Sequence, residues 1–107
     1  MVSTLSIKKQ VIETLEDIKA FDIVSLDVKK QTSISDFMVV ASASSTRQAK
    51  ALARNIKDKM NSAGIDIIGI EGESEGDWVL VDLGDIIVHI MTPTTRAYFN
   101  LEELWSN

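Results

Sequence analysis

The stretch Trp78–Met91 reads WVLVDLGDIIVHIM, and its reading decides how the rest of the chain is placed. Two apolar runs, Trp78–Leu83 and Ile86–Met91, flank Gly84-Asp85, a tight β-hairpin signal. Side chains alternate between the two faces of a sheet. A two-residue turn at Gly84 therefore puts Val79 and Val81 on one face with Ile86, Val88 and Ile90. That face is wholly aliphatic and is predicted to be core. The other face carries Trp78, Leu80, Asp82, Ile87, His89 and Met91. A face turned only to solvent would not display Trp, Leu, Ile and Met together. Either a helix covers it, or it is a partner-binding patch with an aromatic anchor. A three-residue turn would flip one of the two strands and weaken this assignment.

The remaining elements follow by working outward. Ile7, Val11, Ile12, Leu15 and Ile18 recur at helical spacing and predict an amphipathic helix over about 4–19. Asp22–Val28 alternates like a strand, and Phe37–Ala41 is a continuous apolar run suited to an interior strand. Ser45 and Gln48 have capping-box spacing before a helix over 46–62, with Gly64 as its terminator. Ile65–Ile70 reads as a strand, and strand–helix–strand in this order predicts a crossover with parallel pairing. Thr92-Pro93-Thr94 breaks the sheet and opens a last helix, about 95–105, whose apolar side is Ala97, Tyr98, Leu101, Leu104 and Trp105. The expected architecture is α/β in the order αββαββα. It is a single domain over 1–107, with a mixed five-stranded sheet and three helices.

Composition bounds the chemistry. The chain has 107 residues, no cysteine and a net charge of −5. Zero cysteine removes disulfides, thiolate metal sites and thiol catalysis together. No secretory h-region is visible in Met1–Gln10, and no apolar run approaches the ~20 residues of a membrane span, so a cytoplasmic protein is expected. The charge is uneven. Residues 1–61 hold ten Lys/Arg against seven Asp/Glu, whereas residues 62–107 hold only Arg96 against nine acids. Such a half repels phosphate backbones and suits a basic partner, or it simply keeps the protein soluble.

Candidate reactive groups are few. Ser42–Thr46 precedes a helix as a phosphate loop would, but it lacks glycine and the P-loop lysine, so capping is the better reading. The acids of Glu71–Asp77 alternate like a calcium loop without its twelfth-position glutamate, and read as a solvated loop. His89 is the only histidine. General-base chemistry would need a partner such as Asp82 and a placed nucleophile. A structural or interfacial role is favoured, and no metal, cofactor or catalytic residue is assigned.

Several of these stretches resemble the ribosomal silencing factor family, the bacterial relatives of the organellar Iojap proteins. They are DIVSLD at Asp22–Asp27, SDFMVVA at Ser35–Ala41, SSTRQAKA at Ser44–Ala51, Glu71-Gly72, DWVLVDLGDIIVH at Asp77–His89, Arg96, and LEELW at Leu101–Trp105. One departure is Ala43, where the family usually has glycine. The resemblance implies a nucleotidyltransferase-like fold without its chemistry, since the Gly-Ser pair and Asp-x-Asp of those enzymes are missing here. It also implies a translational repressor. Such a protein binds the large ribosomal subunit through ribosomal protein L-fourteen and sterically blocks joining of the small subunit when nutrients are scarce. Family members can also form homodimers. The residues expected to meet the partner are Trp78, Leu80, Asp82, His89 and Met91, with Trp78 as anchor. Nucleic acid is not expected as the main contact. The rival readings are an unusual nucleotidyltransferase acting through Asp27, Asp82 and Asp85, and a homodimer that merely buries its own patch.

Overall fold

The computed structural model describes residues 3–105; the remaining ends of the expected 1–107 domain lie outside the described residues. Helix α1 spans Thr4–Asp17 and starts at Ser3, whose hydroxyl accepts from Ser6 N. Its buried residues, Val11, Thr14 and Leu15, lie on one stripe, as the apolar spacing predicts. Helix α2 spans Thr46–Ser62 and buries Ala49, Leu52, Ala53, Ile56 and Met60. The Ser42–Thr46 segment is a cap. Ser45 Oγ accepts from Gln48 N at 3.0 Å, while Gln48 Oε1 accepts from Ser44 N and Ser44 Oγ. The same glutamine donates from Nε2 to Ile18 O at 3.0 Å, tying the start of α2 to the end of α1.

The strands are β1 (Phe21–Asp27), β2 (Phe37–Ser42), β3 (Gly69–Glu71), β4 (Trp78–Asp82) and β5 (Ile86–Met91). They form one five-stranded sheet in the order β1-β2-β5-β4-β3. β2 and β5 are parallel, from Phe37↔Ile86 to Ser42↔Met91, and every other pair is antiparallel. The mixed sheet is as expected, but the crossover is corrected in one respect. β2 and β3 run in the same direction in the same sheet, yet they do not pair: β5 and β4 lie between them. The central places go to the strands that are apolar on both faces. β2 is buried throughout and β5 nearly so. The expected strand 65–70 supplies only the three-residue edge strand β3, because its ladder begins at Gly69; Ile65 and Ile67 still pack on the core.

One face of the sheet packs on α1 and α2. The core between them joins Phe37, Val39 and Ala41, Val79 and Val81, and Ile86, Val88 and Ile90 to the buried stripes of both helices. The aliphatic hairpin face is therefore core, as the alternation predicts.

The last helix is corrected to two. α3 covers Pro93–Phe99 and α4 covers Leu101–Trp105, separated by Asn100 in the left-handed conformation (φ 47°). Asparagine is one of the few non-glycine residues that enter this region readily. The break re-aims the apolar side: Leu101 is buried, whereas Tyr98 and Leu104, expected to face inward, are 81% and 69% exposed. Arg96 fastens the pair of helices to the sheet. Its Nη1 donates to Ser42 Oγ at 2.8 Å and its Nε to Glu102 Oε1 at 2.9 Å.

Candidate partner-binding face

The hairpin register determines what the second face of the sheet displays. Trp78 pairs with Met91, Leu80 with His89 and Asp82 with Ile87. The turn has two central residues, Gly84 and Asp85. Leu83 N donates to Ile86 O at 2.9 Å, and Gly84 takes φ +87°, which a side chain would resist. Asp82 Oδ1 accepts from Gly84 N at 2.9 Å and steadies the turn. Trp78, Leu80, Asp82, Ile87, His89 and Met91 thus share one face, as the two-residue turn predicts.

That face is divided. At the Met91 end it is covered by the C-terminal helices, where Val40, Met91 and Leu101 form a second small core with Leu26, Trp78 and Trp105 against it. Met91 is fully buried, so its expected place at a partner surface is corrected to a place beneath it. The physical reason is the return of α3 and α4 over this end, pinned by Arg96. His89 is also buried, 5% exposed, and lies behind the surface. Trp78, Leu80, Asp82 and Ile87 are half-buried and reach solvent. The helix-covered alternative therefore holds for the Met91 end, while the rest of the face stays open to solvent.

Trp78 is held from two sides. Its indole Nε1 donates to His89 Nδ1 at 3.0 Å. Its ring meets Phe99 at a centroid separation of 4.7 Å, and Phe99 in turn meets Tyr98 edge-on at 5.0 Å. Phe99 was not among the residues sequence reasoning assigned to a site. It is the last residue of α3, and the return of α3 over this end of the sheet brings it to Trp78. A shallow recess lined by Glu71, Gly72, Trp78 and Leu80 opens beside the indole. Gly72 (φ +85°) lets the chain pass so close that a Cβ there would fall 2.1 Å from Trp78 O.

The electrostatics of this face are acidic. Burial pushes the pKa of His89 down to about 4, so its imidazole is neutral at physiological pH. The charges this face then presents are the carboxylates of Glu71, in the recess beside Trp78, and of Asp82, at the far end of β4. The wider acidic loop is in part engaged with α2: Glu73 Oε2 lies 3.4 Å from Arg54 Nε, and Ser74 O accepts from Lys50 Nζ at 3.4 Å.

No His–Asp pair forms. The partner of His89 is Trp78, and the Asp82 carboxylate serves the turn. The three acids of the rival nucleotidyltransferase reading do not converge either. Asp27 pairs in register with Phe37, on the helix-covered face, and lies 3.4 Å from Lys29 Nζ. Asp82 is on the other face, and Asp85 Oδ2 accepts from Thr4 Oγ1 at 3.3 Å. Among the described residues, no group of three or more His, Cys, Asp or Glu could hold a metal ion. No helix there is long and apolar enough to cross a membrane.

The fold and this face define a small α/β protein with a buried, two-helix-backed sheet and an aromatic–acidic surface on its reverse side. The family model described as "Ribosomal silencing factor during starvation" matches residues 3–107, and the chain belongs to that family. A relative named ribosomal silencing factor RsfS from Chromobacterium violaceum is 52% identical over 92% of this chain and 81% of its own length. A namesake from Haemophilus influenzae is 43% identical over 88% of this chain and 92% of its own. The chloroplastic protein Iojap of Zea mays is 30% identical, and the match spans 96% of this chain but 45% of that protein. A crystal structure of a Chromobacterium violaceum protein superposes with a TM-score of 0.95 at 48% identity, covering 98% of this chain and 88% of that one. A Bacillus halodurans crystal structure gives 0.86 at 34% identity, covering 95% of each chain.

Proposed function

We propose that this protein is a translational repressor with no catalytic activity of its own. It binds the large ribosomal subunit through ribosomal protein L-fourteen, and its bulk there blocks joining of the small subunit and lowers translation when nutrients are limiting. It works in the cytoplasm as a single domain. The observation that carries the reading is the half-buried Trp78 beside Leu80 and Glu71 on the open part of the sheet, with Asp82 at the far end of the same strand. A large aromatic side chain loses little entropy when a partner covers it, and carboxylates on the same face select a basic partner. Trp78, Leu80 and Asp82 make the contact, while His89 and Met91 support it from beneath. The preponderance of acids over residues 62–107 steers the approach.

Co-sedimentation with isolated large subunits tests the reading, together with the loss of small-subunit joining as the protein is titrated in. Sedimentation without loss of joining, or no sedimentation at all, contradicts it. Calorimetry with Mg²⁺ and each nucleoside triphosphate is expected to show no specific heat; micromolar binding would revive the nucleotidyltransferase reading. A second use of the same surface is self-association. Tyr98 and Phe99, 81% and 49% exposed, continue the aromatic row from Trp78 and favour a homodimer that competes with the ribosomal contact.

A further inference from the structure

The indole–imidazole pair carries more than packing. His89 is 5% exposed, and its Nδ1 accepts the Trp78 indole proton. An imidazole nitrogen that accepts must be unprotonated, so the ring proton sits on Nε2. Nε2 is buried and has no hydrogen-bond partner among the described residues. A buried donor without an acceptor is destabilising, and an apolar side chain of similar size would remove that defect. The fold therefore has little use for a histidine at this position. What the histidine supplies is one acceptor, aimed across the hairpin at the neighbouring strand.

We infer that His89 is a positioning residue that locks the Trp78 indole in the orientation a partner meets. The inference rests on Trp78 being the anchor of the proposed ribosomal contact. Two constraints act on one ring: the hydrogen bond sets the rotation of the indole plane, and Phe99 of α3 closes its other side at 4.7 Å. The aromatic face left over is thereby preorganised, and the entropy of fixing it is not lost again at binding. Leu80, the register partner of His89, lies beside the ring on the same face. An accepting nitrogen at position 89 is the only feature of the histidine that this role requires. The Oδ1 of an asparagine occupies the place of Nδ1 and can accept the same bond.

The test compares His89→Leu and His89→Asn with the wild-type chain, in a Trp105→Phe background so that Trp78 is the only tryptophan. Three quantities are read on each protein: melting temperature, exchange of the Trp78 indole proton by NMR, and affinity for isolated large subunits. His89→Leu is expected to melt within about 5 °C of wild type, a shift of roughly the size of one ordinary contact. Its indole proton is expected to exchange faster, and its affinity to fall about threefold to tenfold, the penalty for immobilising one free side chain. His89→Asn is expected to restore slow exchange and most of the affinity. Unchanged indole exchange in His89→Leu overturns the inference. So does wild-type affinity in His89→Leu when Trp78→Ala has lost binding. If the wild-type chain itself fails to bind large subunits, the proposed function falls. Slow exchange in His89→Asn against fast exchange in His89→Leu then still supports the positioning role, and equal exchange in the two overturns it.

Discussion

The Trp78 indole N–H and the His89 imidazole meet at 3.0 Å across the β4–β5 hairpin, eleven residues apart in sequence and on adjacent strands. The bond joins a half-buried ring that reaches solvent to a ring that does not. It separates a pair of side chains read as equal members of one patch into a ring at the surface and a ring beneath it.

The first expectation concerns pH. Burial lowers the His89 pKa from 6.5 to about 4. Unfolding restores the ordinary value, so between these limits the unfolded chain binds a proton that the native chain excludes. The stability held by neutral His89 is fully present above about pH 6.5 and is lost as pH falls, by up to about 1.4 kcal/mol per pH unit, until the native ring protonates near pH 4. Burial is the cause of the shift, and Asp82, on the same face, is turned to the Gly84 N–H. The depressed pKa of Asp27, held down by the Lys29 backbone N–H, acts only below its ordinary value of 3.8. Urea unfolding of wild type and His89→Leu between pH 7.5 and 4.5 is expected to show the slope in wild type alone. Equal slopes would contradict the assignment.

Trp78→Ala is expected to weaken binding to the large subunit by about 2 kcal/mol or more, roughly thirtyfold. Because Trp78 also packs on the small core of Val40, Met91 and Leu101, some stability is lost with it. Melting and binding are therefore measured on the same variant. Near-normal binding by the folded fraction would remove Trp78 from the contact. Asp82→Lys is the companion: it removes the acceptor for Gly84 N and reverses the charge facing a basic partner.

Arg96→Met tests the fastening of the C-terminal helices. The guanidinium is 10% exposed, and its loss leaves Ser42 Oγ and the partly buried Glu102 carboxylate without it. A penalty of about 2 kcal/mol is expected, as for other part-buried charged hydrogen bonds. The emission of Trp105, the last residue of α4 and packed on the Val40, Met91 and Leu101 cluster, should shift to the red as the helices loosen. An unshifted spectrum with an unchanged melting temperature would show that α3 and α4 hold without the arginine.

Gly72→Ala introduces a Cβ where φ is +85° and the Trp78 carbonyl oxygen is 2.1 Å away. The obstacle is backbone, so β4 must move at its first residue. A loss of more than about 2 kcal/mol is expected from the left-handed strain and the clash together. Circular-dichroism melts measure it, and a wild-type melting temperature would refute the close approach.

Most of the fold was legible because it depends on local periodicity. Apolar spacing placed α1 and α2 to within about two residues, and the Ser45–Gln48 cap stands where capping chemistry puts it. The hairpin faces followed from alternation and one glycine turn. The partner of β2 was not legible, since strand order is a competition among all strands for buried neighbours. The break at Asn100 was not legible either. Asparagine is itself a left-handed helix terminator, but Leu101–Trp105 continues the helical pattern beyond it and masks the stop.

The sequence by itself determined the α/β class, the aliphatic core face of the hairpin and the placement of Trp78, Leu80, Asp82, His89 and Met91 together, because a period of two leaves no other choice once the turn is two residues long. Only the tertiary structure decided which of the five a partner can touch. That depends on α3 and α4 returning across one end of the sheet, held by Arg96 from a distance of 54 residues to Ser42. Met91 is buried beneath them, His89 is kept neutral behind Trp78, and Phe99 is brought from outside the expected site to complete it. Burial is a property of what comes to lie on top of a residue, and no local pattern around residues 78–91 records it.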